Sequence, residues 1–196
     1  KLELENKNSI CMKKVVLLFM ALVACVTFSQ AQTKEEKART RAERKLEQER
    51  IDALLFEEAR QSIENRNFIL EADRVIFKRG RSAFVMSNTN FVSVNGEHAT
   101  VQVAFNVPGG GLNGLGGVTV DGRISGYKVT YGKKGNLEVS MNVLGVGISA
   151  QVNIFLPKGT NEASVDIYPN FNSNRLTLEG NIVPLEQSRV FKGTSF

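Results

Sequence analysis

Apolar and polar residues alternate with a period of two along most of the chain from Phe68 onward. Successive side chains of a β-strand point to opposite faces, so this alternation predicts strands that bury one face in a core. The candidate strands are residues 68–77, 91–94, 97–105, 118–120, 123–131, 137–143, 148–156, 163–168 and 175–183, and the tail at 185–191 is a candidate for a short edge strand.

Turn chemistry separates these strands. Asn95-Gly96 is the preferred dipeptide of a type I′ hairpin turn, and Asp121-Gly122 predicts a second turn of the same kind. Further connections are expected at residues 79–82, 133–136, 144–147, 157–160 and 170–174. Evenly spaced strands joined in this way predict a mainly β domain, an antiparallel meander that forms either a barrel or a two-sheet sandwich.

Residues 33–65 contain no Gly or Pro and are rich in helix-forming residues, so they predict a helix, with Thr33 and Glu36 as its capping box. Its second half carries an apolar stripe that can dock on a sheet, formed by Ile51, Leu55, Ala59 and Ile63. Its first half, 34–50, is charged. We interpret that half as a solvated spacer, with partner binding as the alternative.

The amino-terminal residues have the pattern of an export signal. Met12 is followed by Lys13-Lys14, an apolar segment at 15–24 and the small-x-small cleavage site Ser29-Gln30-Ala31. The apolar segment is too short and wrongly flanked for a transmembrane span. The predicted organisation is therefore upstream sequence at 1–11, a signal peptide at 12–31, a charged helix at 32–67 and a β-domain at 68–196, in a periplasmic protein.

Cys25 offers an alternative to this processing. Residues 22–25, Leu-Val-Ala-Cys, match the lipobox of bacterial lipoproteins, which would make the protein an outer-membrane lipoprotein with a lipid anchor at Cys25. We favour cleavage after Ala31, because apolar residues continue past Cys25. The mature chain would then contain no cysteine, which excludes disulfides and thiolate sites.

A glycine-dense stretch at 106–129 is expected to turn the chain between strands and to allow close backbone approach. The predicted polar faces of the strands are unusually poor in charge, which suggests an ordinary solvated face or a surface for a polar ligand. The ligand-binding candidates from the stretch and from this face are Asn113, Gly114, Gly116, Gly117, Asn142, Gln151 and Asn153.

Several chemistries find no support in the sequence. The net charge of +5 is too mild to indicate nucleic-acid binding, and His98 is the only histidine. Residues 109–114 fit G-x-G-x-x-G, but a strand follows where the dinucleotide fold needs a helix. Carboxylate pairs are sparse and tryptophan, a common platform in sugar grooves, is absent. We therefore expect no enzyme, no cofactor and no metal site.

Two segments carry a resemblance to a known family: Asn-Phe-Val at 90–92 and the pattern Asn-Gly-x-Gly-Gly, then Gly-x-Ile-Ser-x-Tyr, at 113–127. In these segments the chain resembles exported proteins of Bacteroides-type Gram-negative bacteria that contain domain of unknown function 4251. The resemblance covers residues 68–194 and implies a single β-rich domain after a charged helix, located in the envelope. The family has no assigned activity, so it implies no functional residues.

Two functions therefore stay open. In the first, the β-domain is non-catalytic and binds a small polar ligand or glycan. In the second, it is a structural or assembly partner of an envelope complex, and the charged helix is its contact arm. Deletion of residues 34–50 distinguishes the two, because only the second function requires them.

Overall fold

The computed structural model describes residues 34, 36–104, 117–170 and 175–192. The chain divides into two units, Lys1–Glu49 and Arg50–Phe196. The predicted signal peptide and Cys25 lie outside the described residues, so their processing stays a prediction. Helix α1 runs over residues 36–64, and every residue from 36 to 51 is exposed.

Nine strands follow the helix in the described residues. They are β1 (Asn67–Phe77), β2 (Ser82–Phe84), β3 (Phe91–Asn95), β4 (His98–Ala104), β5 (Gly117–Tyr131), β6 (Leu137–Gly145), β7 (Ser149–Leu156), β8 (Glu162–Pro169) and β9 (Leu176–Pro184). A single 3₁₀ turn, Leu185–Gln187, comes after β9.

Eight of these strands close into an antiparallel barrel. From β3 to β9 each strand pairs with the next, and β1 closes the ring by pairing with β3 on one side and β9 on the other. The ninth strand, β2, lies on the same side of β1 as β3 and pairs with residues 74–76 of β1. Of the two predicted architectures, the barrel is therefore the one that forms.

The interior of the barrel is filled by apolar side chains, as the alternation predicts. The predicted apolar positions in β4, β6 and β7 are buried, at Ala99, Val101, Val103, Leu137, Val139, Met141, Val143, Ala150, Val152 and Ile154. They belong to one continuous core with side chains from β1, β3, β8 and β9. This burial is the main stabilising term of the barrel.

The second half of α1 contributes to the same core through Ala59 and Ile63, which are buried, while Leu55 is half-buried. The hydroxyl of Tyr127 on β5 donates to the Ile63 carbonyl at 2.7 Å and fixes the end of the helix. Ile51 departs from the predicted docking stripe, because its side chain is 42% exposed. The stripe therefore begins about one helical turn later than predicted.

The hairpin predicted at Asn95-Gly96 forms, but its turn is one residue further along. Asn95 pairs with His98, so Gly96 and Glu97 are the central residues. Only Gly96 has a positive φ, 60°, which is the pattern of a type II′ turn rather than type I′.

The prediction of a turn at Asp121-Gly122 is wrong. Strand β5 continues through both residues, and Gly122 pairs with Ala99 on one side and Gly145 on the other. A Cβ at Gly122 would lie 2.1 Å from the carbonyl oxygen of Leu144. Glycine is needed here because the backbone of β6 approaches closely.

The edge strand predicted at 185–191 is also wrong. After the 3₁₀ turn, residues 188–192 run as an irregular segment across the outer surface of the barrel. We call this segment the C-terminal strap. The N–H of Phe191 donates to the carbonyl of Asn88 at 2.7 Å, so the strap contacts the loop between β2 and β3.

Candidate functional site

The predicted ligand residues of the glycine-dense stretch are only partly covered by the structure. Asn113, Gly114 and Gly116 lie outside the described residues. Gly117 begins β5, is buried and pairs with Ala104. A Cβ there would lie 1.7 Å from the carbonyl oxygen of Val103, so Gly117 allows two backbones to approach rather than opening toward a ligand. From Gly117 onward, therefore, the stretch is a strand and not a turn.

The other three candidates meet on one outer face of the barrel. Asn142 pairs with Gln151 across β6 and β7, and Asn153 pairs with Ser140 two residues away. Their sequence neighbours Met141 and Val152 are buried in the core, so strand geometry directs all three amides outward. The structure thus brings together three residues that the alternation singled out.

Beside these amides the outer face contains a groove of about 280 Å³. It crosses β5 to β8 and is lined by Lys128, Thr130, Glu138, Val139, Ser140, Asn153, Ile154, Phe155, Ser164 and Asp166. One row of this lining follows the strand register from Lys128 through Ser140 and Asn153 to Asp166. Three strand spacings separate the ends of the row, about 14 Å.

The β8 end of the groove is fixed by polar contacts of Asp166. Its carboxylate accepts hydrogen bonds from Arg175 at 2.7 Å and from the Thr177 hydroxyl at 2.6 Å. The hydrogen bond to Asp166 raises the pKa of Arg175. The guanidinium also lies 5.5 Å from the centroid of the Tyr168 ring, whose partner in the register is Gln151. A charged and aromatic border therefore stands beside the neutral amides.

The sequence pattern does not identify three residues that line the groove, Lys128, Phe155 and Asp166. Their alternation places them on the polar faces of β5, β7 and β8, which is readable from the chain. Their proximity to Asn153 depends on the cross-strand register, and a bulge between Ser125 and Lys128 shifts that register on β5. The alternation of side chains within one strand contains no information about such a register shift.

The polar face of β4 differs from that of β6 and β7. Thr100 and Gln102 lie on the polar side of the alternation in β4, but both are buried. The loop at 86–90 and the C-terminal strap contact this part of the barrel. Gln102 donates to the carbonyls of Thr89 and Phe191, and it accepts from the Thr119 hydroxyl. These residues therefore have a structural role.

The principal polar network outside the groove joins the end of α1 to β5. Arg60 donates to Glu57 and Glu64, and the Tyr131 hydroxyl donates to Glu64. The hydrogen bond from Arg60 lowers the pKa of Glu57 to about 2. His98 is exposed at the start of β4.

Neither a metal site nor a membrane-spanning helix is present among the described residues. No group of three or more His, Cys, Asp or Glu residues among them is arranged to hold a metal ion. No helix in the same part of the chain has the length and apolar character to span a membrane.

The sequence profile of a domain of unknown function, DUF4251, matches residues 50–182. This chain belongs to the DUF4251 family. The resemblance at residues 113–127 is thereby confirmed. The DUF4251 match begins earlier and ends earlier than the predicted range of 68–194, and it includes the second half of α1 and all of the groove.

A solved relative gives the same family. The crystal structure of a DUF4251 family protein from Bacteroides eggerthii DSM 20697 is 49% identical to this chain, with a TM-score of 0.65. The match covers 76% of this chain and 99% of that one. A search of curated proteins gave no match.

Proposed function

We propose that this DUF4251 protein is a non-catalytic binding module of the cell envelope, and that it holds a small neutral polar ligand, such as a glycan, in the groove over β5 to β8. The observation that carries the proposal is the alignment of Ser140, Asn153 and the pair Asn142–Gln151 on neighbouring strands. Rigid strands hold these groups at fixed spacing, so little ordering is needed when a ligand binds.

The lining of the groove suits a polyhydroxylated molecule. Side-chain hydroxyls and amides both donate and accept hydrogen bonds, as sugar hydroxyls do. Phe155, 39% exposed, supplies an aromatic surface in the absence of tryptophan. Since apolar side chains fill the barrel interior, the outer face is the better place for a polar ligand.

The carboxylates of the groove favour binding over hydrolysis. Glu138 on β6 and Asp166 on β8 are two strands and one row apart, which puts their Cα atoms about 12 Å from one another in a regular sheet. Paired glycosidase carboxyl groups lie about 5 to 9.5 Å apart and flank the scissile bond, whereas these two side chains project in parallel from one sheet face. Asp166 is moreover held by Arg175 and Thr177, on the side away from Glu138.

Isothermal titration with a panel of neutral oligosaccharides tests this proposal. We expect at least one to bind, and we expect Asn153→Ala and Ser140→Ala each to weaken it about tenfold, the effect of one or two lost hydrogen bonds. Asn181→Ala is the matched control, because Asn181 is exposed on β9 outside the groove. Binding that is equally affected by all three variants, or release of shortened sugars, would contradict the proposal.

The envelope location rests on the signal peptide predicted at 12–31. Mass spectrometry of the exported protein should find an amino terminus at Gln32. A lipidated Cys25 at the amino terminus would instead show an outer-membrane lipoprotein.

A structural or assembly role is the second candidate function. It is favoured by the charged first half of α1, in which every described residue up to Ile51 is exposed. If the helix is a contact arm, deletion of residues 34–50 should abolish capture of an envelope partner. Sugar binding at the groove should survive that deletion.

A further inference from the structure

The hairpin between β1 and β2 forms a cationic tip on the barrel. Lys78, Arg79 and Arg81 are all exposed, and the turn is closed by a 2.8 Å hydrogen bond from the Phe77 N–H to the Arg81 carbonyl. Gly80 takes the positive φ, 78°, that the turn requires. The positions of the three cations are thus set by a defined turn.

The charge of this tip is not balanced nearby in the sequence. No Asp or Glu occurs between Asp73 and Glu97, whereas the interval contains four basic residues. Arg74 forms an ion pair with Glu179. Neither Arg79 nor Arg81 forms an ion pair with any residue that the structure describes. The tip therefore presents a local positive potential to solvent.

Large exposed apolar side chains follow these cations in the sequence. Phe84, three residues after Arg81, is 88% exposed, and Met86 is 71% exposed. All three residues of β2 are exposed. Phe191 of the strap, 59% exposed, is joined to this region by its hydrogen bond to Asn88. Large apolar side chains exposed on one short stretch of chain indicate an interaction surface.

We propose that residues 78–86 dock the barrel onto an anionic phospholipid surface. Arg79 and Arg81 contact the phosphate headgroups, and Phe84 and Met86 enter the boundary between headgroups and acyl chains. Basic residues beside exposed aromatic and aliphatic ones are the composition that such a surface binds. The cations and the exposed apolar side chains occur within nine consecutive residues, which suits the adjoining headgroups and acyl chains of a membrane surface.

This contact is independent of the groove over β5 to β8. Residues 78–86 comprise the tip, β2 and the two residues after it, and none of them lines the groove. Docking of residues 78–86 on a membrane can therefore be tested separately from ligand binding in the groove.

Co-sedimentation with vesicles tests the proposal. The protein should bind vesicles of equal parts phosphatidylglycerol and phosphatidylcholine, and bind pure phosphatidylcholine vesicles at least tenfold more weakly. Arg79→Glu/Arg81→Glu should reduce binding to the anionic vesicles by about tenfold or more. Phe84→Ser/Met86→Ser should also reduce it, because the apolar contacts are lost.

Lys133→Glu/Lys134→Glu is the matched control. It makes the same charge change in the exposed turn between β5 and β6, and its binding should stay within about twofold of the parent. All substituted side chains are exposed, so an unchanged thermal midpoint confirms that each variant folds.

Three results would overturn the proposal. They are a parent protein that does not bind anionic vesicles, equal losses in the two charge-reversal variants, and an apolar variant that binds like the parent. Capture of an acidic protein by the tip without vesicle binding would likewise show that the partner is not a lipid surface.

Discussion

The side-chain amide of Gln102 donates a hydrogen bond of 2.7 Å to the carbonyl of Phe191, 89 residues later in the chain. The same amide donates to the Thr89 carbonyl, and its oxygen accepts from Thr119. One fully buried side chain therefore ties the C-terminal strap and the loop before β3 to the wall of the barrel.

Gln102→Ala should lower the free energy of unfolding by about 3 kcal/mol, because it leaves buried polar groups without partners. Gln151→Ala is the matched control, since Gln151 is exposed on β7 and should change stability by less than about 0.5 kcal/mol. Urea denaturation of both variants measures the difference. Equal stabilities would show that the buried hydrogen bonds of Gln102 contribute nothing to the stability of the fold.

The strap should also respond to acid through Asp121, which accepts from Lys192 at 2.6 Å and from Thr100 at 2.7 Å. Burial raises the pKa of Asp121, but the hydrogen bonds from Lys192 and Thr100 outweigh it and hold the pKa below its usual 3.8. Because the pKa of Asp121 is lower in the folded state, ionised Asp121 stabilises the folded protein at pH values above 3.8. This stabilisation is lost as the pH falls below 3.8.

Asp121→Asn should accordingly be less stable than the parent at neutral pH and should approach the parent's stability as the pH falls below 3.8. Lys192→Met should show the same convergence. Thermal midpoints over the acid range check this. A difference that stays constant with pH would mean that the carboxylate is not the group involved.

Gly122→Ala should destabilise the barrel by about 3 kcal/mol, because the new Cβ meets the backbone of Leu144 and the strands must separate. Gly159→Ala is the control for backbone conformation alone. Its φ is 82° and the space around it is open, so its cost should stay near 1 kcal/mol. Chemical denaturation that gives Gly122→Ala the stability of the parent would contradict the close approach of β6.

The sequence pattern correctly predicts features that depend on a single strand or helix. It fails for features that depend on how a second element packs against the first. The alternation at 137–143 and 148–154 places both the core and the outward amides, because side-chain direction is a local property. Asp121-Gly122 has the composition of a turn, but pairing on both sides keeps it in a strand. Gln102 has the pattern of an open face, but in the fold the loop at 86–90 and the C-terminal strap contact it.

Removal of residues before Arg50 should leave the β-domain folded, with a thermal midpoint within a few degrees of the parent. The removed residues that the structure describes are exposed, and isolated surface helices add little stability. Ile63→Ala supplies the contrast, since Ile63 is fully buried and its truncation should cost about 3 kcal/mol. Calorimetry of both proteins checks this, and an unfolded truncated protein would make the first half of α1 essential.

Our central claim is that a neutral polar ligand binds on the outer face of β5 to β8. Nuclear magnetic resonance of the side-chain amide groups, recorded during titration with a neutral oligosaccharide, tests it most directly. The amide signals of Asn142, Gln151 and Asn153 should shift together, while that of buried Gln102 should stay in place. Shifts that spare all three outward amides, or that move Gln102 instead, would contradict the claim.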